Sequence, residues 1–378
     1  MIDTIVAGAT ILDGCAGQPF VTDVAIVGDR IALLGNLADR EAVERVGGTG
    51  LALAPGFIDV HSHSDELWLV DPRCAGKIAQ GVTTEIGGNC GRAAAPRAGD
   101  EPSRKTFDAF FSAIDRGGVA VNVASLVGLG TTRHEIHGDR AGRLDDAALV
   151  AQAALVRAGV EQGALGVSSG LVYAPSRFAD PDELVALASA ARDAGGARYV
   201  THLRNEGDAL LEAVGEAVEI GRRADVAVQC SHHKAWGKPN WGKVHRSLAA
   251  IDRARSRGQR VYADVYPYVA AWTDLTTLLR EPALDGGRAQ ILARLRDPAH
   301  AAAIGLLLEL DHAGEWHDIR ITSVAGDRNA AVVGMRIDEL ARWWSLPPAR
   351  AVIRLLVEEE LDVEALFFAM SEDDVATV

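Results

Sequence analysis

"GFIDVHSHSDELW", residues 56–68, places two histidines one residue apart at the end of an apolar run. Gly56 leads in, Phe57, Ile58 and Val60 supply β-prone apolar side chains, and His61 and His63 follow. Side chains alternate faces along a strand, so this spacing predicts that both imidazoles point the same way. Two imidazoles side by side repel when charged, whereas a divalent ion gathers them.

Working outward, short apolar runs recur: "TTEIGGN" (83–89), "VNVASLVG" (121–128), "ALGVSSG" (164–170), "RYVTHL" (198–203), "VAVQCSHH" (226–233) and "RVYADVYPY" (260–268). Ala-rich helical patterns such as "DPDELVALASAARDAGG" lie between them. This alternation predicts a parallel sheet with crossover helices. With the first run it makes seven strands, too many for a small doubly wound sheet, so the expected fold class is α/β, a (β/α)8-type TIM barrel. An eighth barrel strand is not found. Upstream, residues 1–53 read as short strands of an antiparallel β unit, punctuated by Gly, Asp and Asn. Downstream, "DIRITSV" reads as a strand and "RIDELARWWSLPPARAVIRLLVEEE" as helix broken at Pro347-Pro348.

The 378 residues are 48% hydrophobic with a formal charge of −14, enough for a large core and a poor match to nucleic acid or an anionic membrane. No apolar run approaches the roughly 20 residues of a membrane span. The N-terminus lacks the basic region of a signal peptide. The four cysteines, Cys15, Cys74, Cys90 and Cys230, show no C-x-x-C pairing, which fits a reducing compartment. A cytoplasmic protein is expected.

Barrel chemistry belongs at the C-terminal ends of the strands. There lie His61 and His63, Cys90 in "GGNCG", His202 in "VTHLRNE", and His232 with His233 in "CSHHK". Imidazole and thiolate are zinc ligands. Each alone also reads as ordinary structure: Cys90 as a small buried thiol, a single His as a hydrogen-bonded one. Together they predict a metal site. "RHEIH" (133–137) reads as a loop, His245 and His312 as solvated residues, and "GLGT" (128–131) as too short for a phosphate cradle.

"PGFIDVHSHSD", "QGVTTEIGGNCG", "GLVYAPSRFAD", "THLRNEG", "SHHKAWGKPNWGK" and "YADVYPY" together resemble the amidohydrolase superfamily, and within it the N-acyl-D-amino-acid deacylase (D-aminoacylase) family. The resemblance implies a small, incomplete β-sandwich domain over 1–54 and a metal-dependent barrel over 55–378, with an α/β insertion around 281–345. It implies that Cys90, His202 and His232 hold one tight Zn²⁺, while His61 and His63 form a second, weaker site. His232 matches the motif position better than its neighbour His233. Tyr173, Arg204, Lys234 and Tyr266 are the implied substrate contacts. Their alternatives are a core residue for each tyrosine, an ion pair to an acid such as Glu206 for Arg204, and a solvated charge for Lys234. The family's catalytic Asp lies in a "GSDG" segment of strand eight. The sequence stops at Val378 before such a segment, and neither Asp59 nor Asp264 reads as its substitute. Leu129 stands where relatives often carry His, and Ala271-Trp272 replaces small residues.

The implied activity is zinc-dependent hydrolysis of small-molecule N-acyl-D-amino acids to a D-amino acid and a carboxylate. The alternatives are a cyclic amidase of hydantoinase or dihydroorotase type, or a zinc-binding chain without turnover.

Overall fold

The computed structural model describes residues 1–99 and 101–378. The chain divides into two compact units, one formed by residues 1–58 and 75–84, the other by 59–74 and 85–378.

The first unit carries a five-stranded sheet of Ile2–Ile11, Phe20–Val27, Arg30–Gly35, Ala42–Gly47 and Ala52–Leu53. Ile2–Ile11 pairs antiparallel with Phe20–Val27, which pairs antiparallel with Arg30–Gly35. The sheet is nevertheless mixed, because Ala42–Gly47 and Ala52–Leu53 both run parallel to Ile2–Ile11. The expected all-antiparallel unit fails here because residues 36–41 bring Ala42–Gly47 alongside Ile2–Ile11 in the same direction, and Ala52–Leu53 continues that edge after residues 48–51. Its buried side chains are few, with Ile5, Ala25 and Leu37 in one cluster and Ala9, Ile11 and Val24 in another.

In the second unit, Val127–Gly128, Gly166–Gly170, Arg198–His202, Ala227–Cys230 and Val261–Ala263 form a sheet in that order, every pair parallel. Helices Asp146–Glu161, Pro181–Asp193, Leu210–Ala224 and Lys243–Ser256 connect successive strands. Local chemistry starts two of them. Asp145 and Asp180 accept hydrogen bonds from the backbone N–H of Ala148 and Glu183, and Pro181 takes the first turn, where its missing N–H costs nothing. Phe57–Asp59, Val82–Gly87 and Asn122–Ser125 form a further sheet ordered as in sequence, with residues 57–58 and 82–84 counted in the first unit. All seven expected strands are present, several shorter than their apolar runs. Their register is nearly level: Gly170 pairs with His202, Thr201 with Cys230, and Cys230 with Ala263. Being parallel, the five strands from Val127–Gly128 to Val261–Ala263 release the chain at one common edge.

Residues 271–367 build a separate core. Strands Ala271–Asp274, Val363–Phe367 and Ile319–Val324 form an antiparallel sheet in that order, and the buried cluster runs from Leu275 to Phe367. This α/β region is wider than the expected 281–345, because "AWTD" and "VEALF" are strands with no turn residues to announce them. Helix Ile337–Trp344 ends before Pro347, and Pro348 opens the next, Pro348–Glu358. Among the described residues no helix is long and apolar enough to cross a membrane.

Candidate metal centre

Cys90 sits in the loop that follows Val82–Gly87, within "GGNCG". Gly88, Cys90 and Gly91 all adopt left-handed backbone, at φ of 72°, 52° and 74°. A side chain on Gly88 would run into the Leu126 carbonyl, and one on Gly170 into the Cys90 carbonyl. The glycines therefore let this loop press against the neighbouring strands and aim the thiol inward. The Gly91 N–H donates to Ser168 Oγ at 3.0 Å, which fixes the loop to Gly166–Gly170.

Three imidazoles surround the buried thiol. Cys90 Sγ lies 3.4 Å from His61 Nε2 and 3.5 Å from His232 Nε2. The His202 ring centroid is 4.3 Å from that of His232. Two clusters share His232: one joins it to His61 and Cys90, the other to His202 and Glu206, with ligand atoms within 4.8 Å of one another in each. His63 belongs to neither. Its exposed ring is 5.4 Å from that of His61 and tilted by 68°.

This corrects the reading of the H-x-H pair as two residues of one strand face. The strand ends at Asp59, and His61 and His63 lie beyond it. The turn has a visible cause: the hydroxyls of Ser62 and Ser64 and the Trp68 indole N–H all donate to the buried Glu85 carboxylate, at 2.8, 2.9 and 3.0 Å. Glu85 went unnoticed in the sequence, although an acid inside an apolar run is the signal for such an anchor.

Two carboxylates back the imidazoles. Glu206 Oε1 is 3.0 Å from His232 Nδ1, and Glu206 Oε2 is 3.5 Å from His202 Nε2. Asp264 Oδ1 is 3.1 Å from His61 Nδ1 and accepts the His232 backbone N–H at 2.6 Å. That bond holds His232 in left-handed backbone at φ 36°.

Electrostatics follows this arrangement. Burial opposes ionisation of the Cys90 thiol, but the imidazoles of His232, His202 and His61 outweigh it and hold the thiol well below its usual range. Burial equally disfavours charge on His61, yet Asp264 and Cys90 lift it to about 10. Burial also opposes the Glu206 carboxylate, and Lys234, His202 and His232 reverse that and keep it ionised. For His202 burial prevails and lowers its pKa.

The donors suit zinc. Bonds of about 2.3 Å to sulfur and 2.0–2.1 Å to nitrogen at a tetrahedral angle place S and N roughly 3.5 Å apart, the spacing seen around Cys90. Buried His202 Nδ1 also has no hydrogen-bond partner among the described residues.

The remaining expected residues divide. His233 turns away from the centre, with Nε2 2.7 Å from Ser247 Oγ, and burial lowers its pKa to about 4. Tyr173 lies edge-on to His202 at 5.0 Å, its hydroxyl 2.9 Å from Thr273 Oγ1. Tyr266 is 6.4 Å from His232 between ring centroids. Arg204 pairs with Glu216 at 2.8–3.1 Å, not with Glu206, and donates to the carbonyls of Arg177 and Ala179, each at 2.9 Å. Lys234 is not the solvated charge of its alternative reading. It is buried, with Nζ 2.7 Å from both Glu206 Oε1 and His232 Nδ1, so its charge is already matched inside the protein.

Cys90 also opens onto two cavities. One, of about 390 Å³, is lined by Arg92, His134 and Tyr173 among others; the second, of about 500 Å³, by His63, Asp65, Arg92, Tyr173 and Trp272. His134 stands on helix Leu129–His137, not in the expected loop. Asp65 and Arg92 are additions from the structure. Burial raises Asp65 to about 6, and Arg92 pairs with Asp274 at 2.7 Å while lying over the Tyr173 ring at 4.9 Å.

No protein-family model matches the sequence. Among characterised proteins, the N-acyl-D-glutamate deacylase of Alcaligenes xylosoxydans xylosoxydans is 32% identical, over all of this chain and 71% of that protein. The N-acyl-D-aspartate deacylase of the same organism is 39% identical, over 72% of this chain and 57% of that protein. Among solved structures, N-acyl-D-glutamate deacylase from Bordetella bronchiseptica, in complex with zinc and a phosphonate mimic of the tetrahedral intermediate, superposes with a TM-score of 0.84 at 31% identity, covering all of this chain and 73% of that one. A likeness that runs the length of the chain at this identity means that it belongs to the N-acyl-D-amino-acid deacylase family of amidohydrolases.

Proposed function

We propose that this chain hydrolyses the amide bond of N-acyl-D-amino acids at a zinc centre, and that its seven consecutive strands are staves of a (β/α)8 barrel beside a small N-terminal β domain. Cys90, His202 and His232 hold the tighter ion in this reading, and His61 with His63 offers a second, weaker position. The observation that carries it is the thiol of Cys90 lying at zinc-ligand spacing from the Nε2 atoms of His232 and His61, with the His202 ring 4.3 Å from that of His232, in a chain whose relatives remove acyl groups from D-amino acids. A bound zinc ion would supply a polarised acyl carbonyl and a water whose pKa falls to roughly 7.

The chain's own groups set the rest. The Cys90 thiolate brings negative charge to the centre, and metal binding would displace the proton that Asp264 and Cys90 favour on His61, leaving neutral imidazole donors. Tyr173 and Tyr266 both flank the imidazoles, and burial keeps each phenol protonated and able to donate. Tyr173 stands in the wall of both cavities, where its hydroxyl can exchange Thr273 for a substrate oxygen. Arg92, held against its ring, limits how that ring can turn.

The test is release of free amino acid from N-acetyl-D-glutamate, N-acetyl-D-aspartate and N-acetyl-D-methionine, beside their L-enantiomers, with and without zinc. Zinc-dependent turnover restricted to D-substrates supports the reading. Ring opening of a cyclic amide with no D-substrate turnover would replace it with a cyclic amidase. Zinc uptake without any turnover would leave a metal-binding chain.

A further inference from the structure

We propose that Glu206 and Asp264 are positioning residues of the metal centre, each fixing the Nδ1 of one imidazole so that His232 and His61 both present Nε2 to the Cys90 thiolate. This rests on the zinc reading above and deepens it.

A neutral imidazole carries one proton, and which nitrogen holds it decides which nitrogen can donate to an ion. A carboxylate beside Nδ1 selects the Nδ1–H form and frees the Nε2 lone pair. The structure brings a carboxylate oxygen to within 3.1 Å of an imidazole Nδ1 twice. In His232, Nδ1 is 3.0 Å from Glu206 Oε1 and Nε2 is 3.5 Å from Cys90 Sγ; the Lys234 ammonium also lies 2.7 Å from Nδ1 and can only donate, so the Nδ1–H form requires Lys234 to pair with Glu206 alone. In His61, Nδ1 is 3.1 Å from Asp264 Oδ1, within ion-pair distance but not aligned as a hydrogen bond, and Nε2 is 3.4 Å from the same sulfur. The carboxylates come from different places, Glu206 after strand Arg198–His202 and Asp264 after strand Val261–Ala263. One local turn therefore does not account for both.

Asp264 does more than orient a ring. One of its oxygens accepts the His232 backbone N–H at 2.6 Å, and the other accepts from the Gln229 side chain. It thus ties the position of one imidazole to the backbone of the other.

Glu206 has a competing role, since it lies within ligand distance of His202 and His232. Two contacts argue against its being a ligand itself. Its Oε1 already faces His232 Nδ1 and the Lys234 ammonium, the latter at 2.7 Å. A divalent ion on that carboxylate would also stand close to a buried ammonium, where like charges repel strongly. Lys234 instead balances the Glu206 charge, which lets a carboxylate remain buried behind the ligand.

The experiment measures zinc stoichiometry and affinity by chelator competition for the wild-type chain and for Glu206→Ala, Glu206→Gln, Asp264→Ala and Asp264→Asn, with circular dichroism to confirm folding. The expected result is unchanged stoichiometry with affinity weakened roughly 10–100-fold in the alanine variants. The amide variants keep an oxygen acceptor in place and are expected to lose less, within about tenfold. Should an alanine variant fail to fold, its amide counterpart decides, since a folded amide variant with wild-type affinity overturns the proposal for that residue. Loss of one equivalent of zinc in both Glu206 variants also overturns it, by making Glu206 a ligand. Wild-type affinity throughout refutes the positioning role alone, whereas a wild-type chain that takes up no zinc refutes the metal reading together with it.

Discussion

Cys90→Ser is the sharpest perturbation of the centre, because it removes one charged donor and leaves a side chain of nearly the same shape. Sites with four protein donors bind zinc with about 10–16 kcal/mol, or roughly 3 kcal/mol for each donor. Losing the thiolate that faces two Nε2 atoms at 3.4 and 3.5 Å therefore weakens binding by about two decades. The consequence is readable as stability. At free zinc of 1,000 times the wild-type dissociation constant, binding stabilises the folded chain by about 4.1 kcal/mol. The variant, then only tenfold above its own constant, retains about 1.4 kcal/mol. At roughly 2 °C per kcal/mol, the zinc-dependent rise in Tm is about 8 °C for the wild type and about 3 °C for the variant. Thermal scans in excess chelator and in buffered zinc make the comparison within each protein, which cancels any effect of the substitution on the metal-free fold. Equal zinc-dependent shifts in the two proteins would refute the reasoning, because the thiolate would then contribute nothing to the ion.

Two further outcomes test the scaffold around the centre. Burial lowers His233 to about 4 from its ordinary 6.5, so between those values the unfolded chain binds a proton that the folded chain refuses. Its contribution is full above pH 6.5 and is lost as pH falls toward 4, up to about 3 kcal/mol; denaturant titrations across that range should show His233→Gln flattening the decline. Gly170→Ala places a methyl group against the Cys90 carbonyl; it should cost about 1–3 kcal/mol and weaken zinc binding in the same chelator competition, although residue 170 donates nothing to a metal.

The strands were legible because a buried parallel strand is a short apolar run closed by Gly or a polar residue, and most of the seven runs have that form. Their shared edge followed from parallel pairing, and with it the neighbourhood of Cys90, His202 and His232. Contacts made across the fold were not legible. Arg204 finds Glu216 twelve positions on, in helix Leu210–Ala224, and sequence alone ranks Glu206 equally well. Lys234 reads as a loop-end charge until Glu206 is seen beneath it. The mixed pairing of the first sheet escaped for a related reason, since periodicity reports which faces are buried and carries no sign for strand direction.

The donors themselves mark the boundary between these two kinds of information. A residue inside a strand ladder has its backbone set by pairing, and left-handed φ is foreign to it. Cys90 and His232 both have positive φ, and His61 lies two residues past its strand, so these three stand just outside the ladders. Hydrophobic periodicity speaks for residues inside the ladder and stops where these begin. Beyond that point conformation is set by individual bonds: the Ser62 and Ser64 hydroxyls on Glu85, the Gly91 N–H on Ser168, and the His232 N–H on Asp264. Register brings the donors to one edge, and buried acids and one serine hydroxyl turn them to face one another. A sequence with every strand intact but without Glu85, Glu206 and Asp264 would keep the edge and lose the aim.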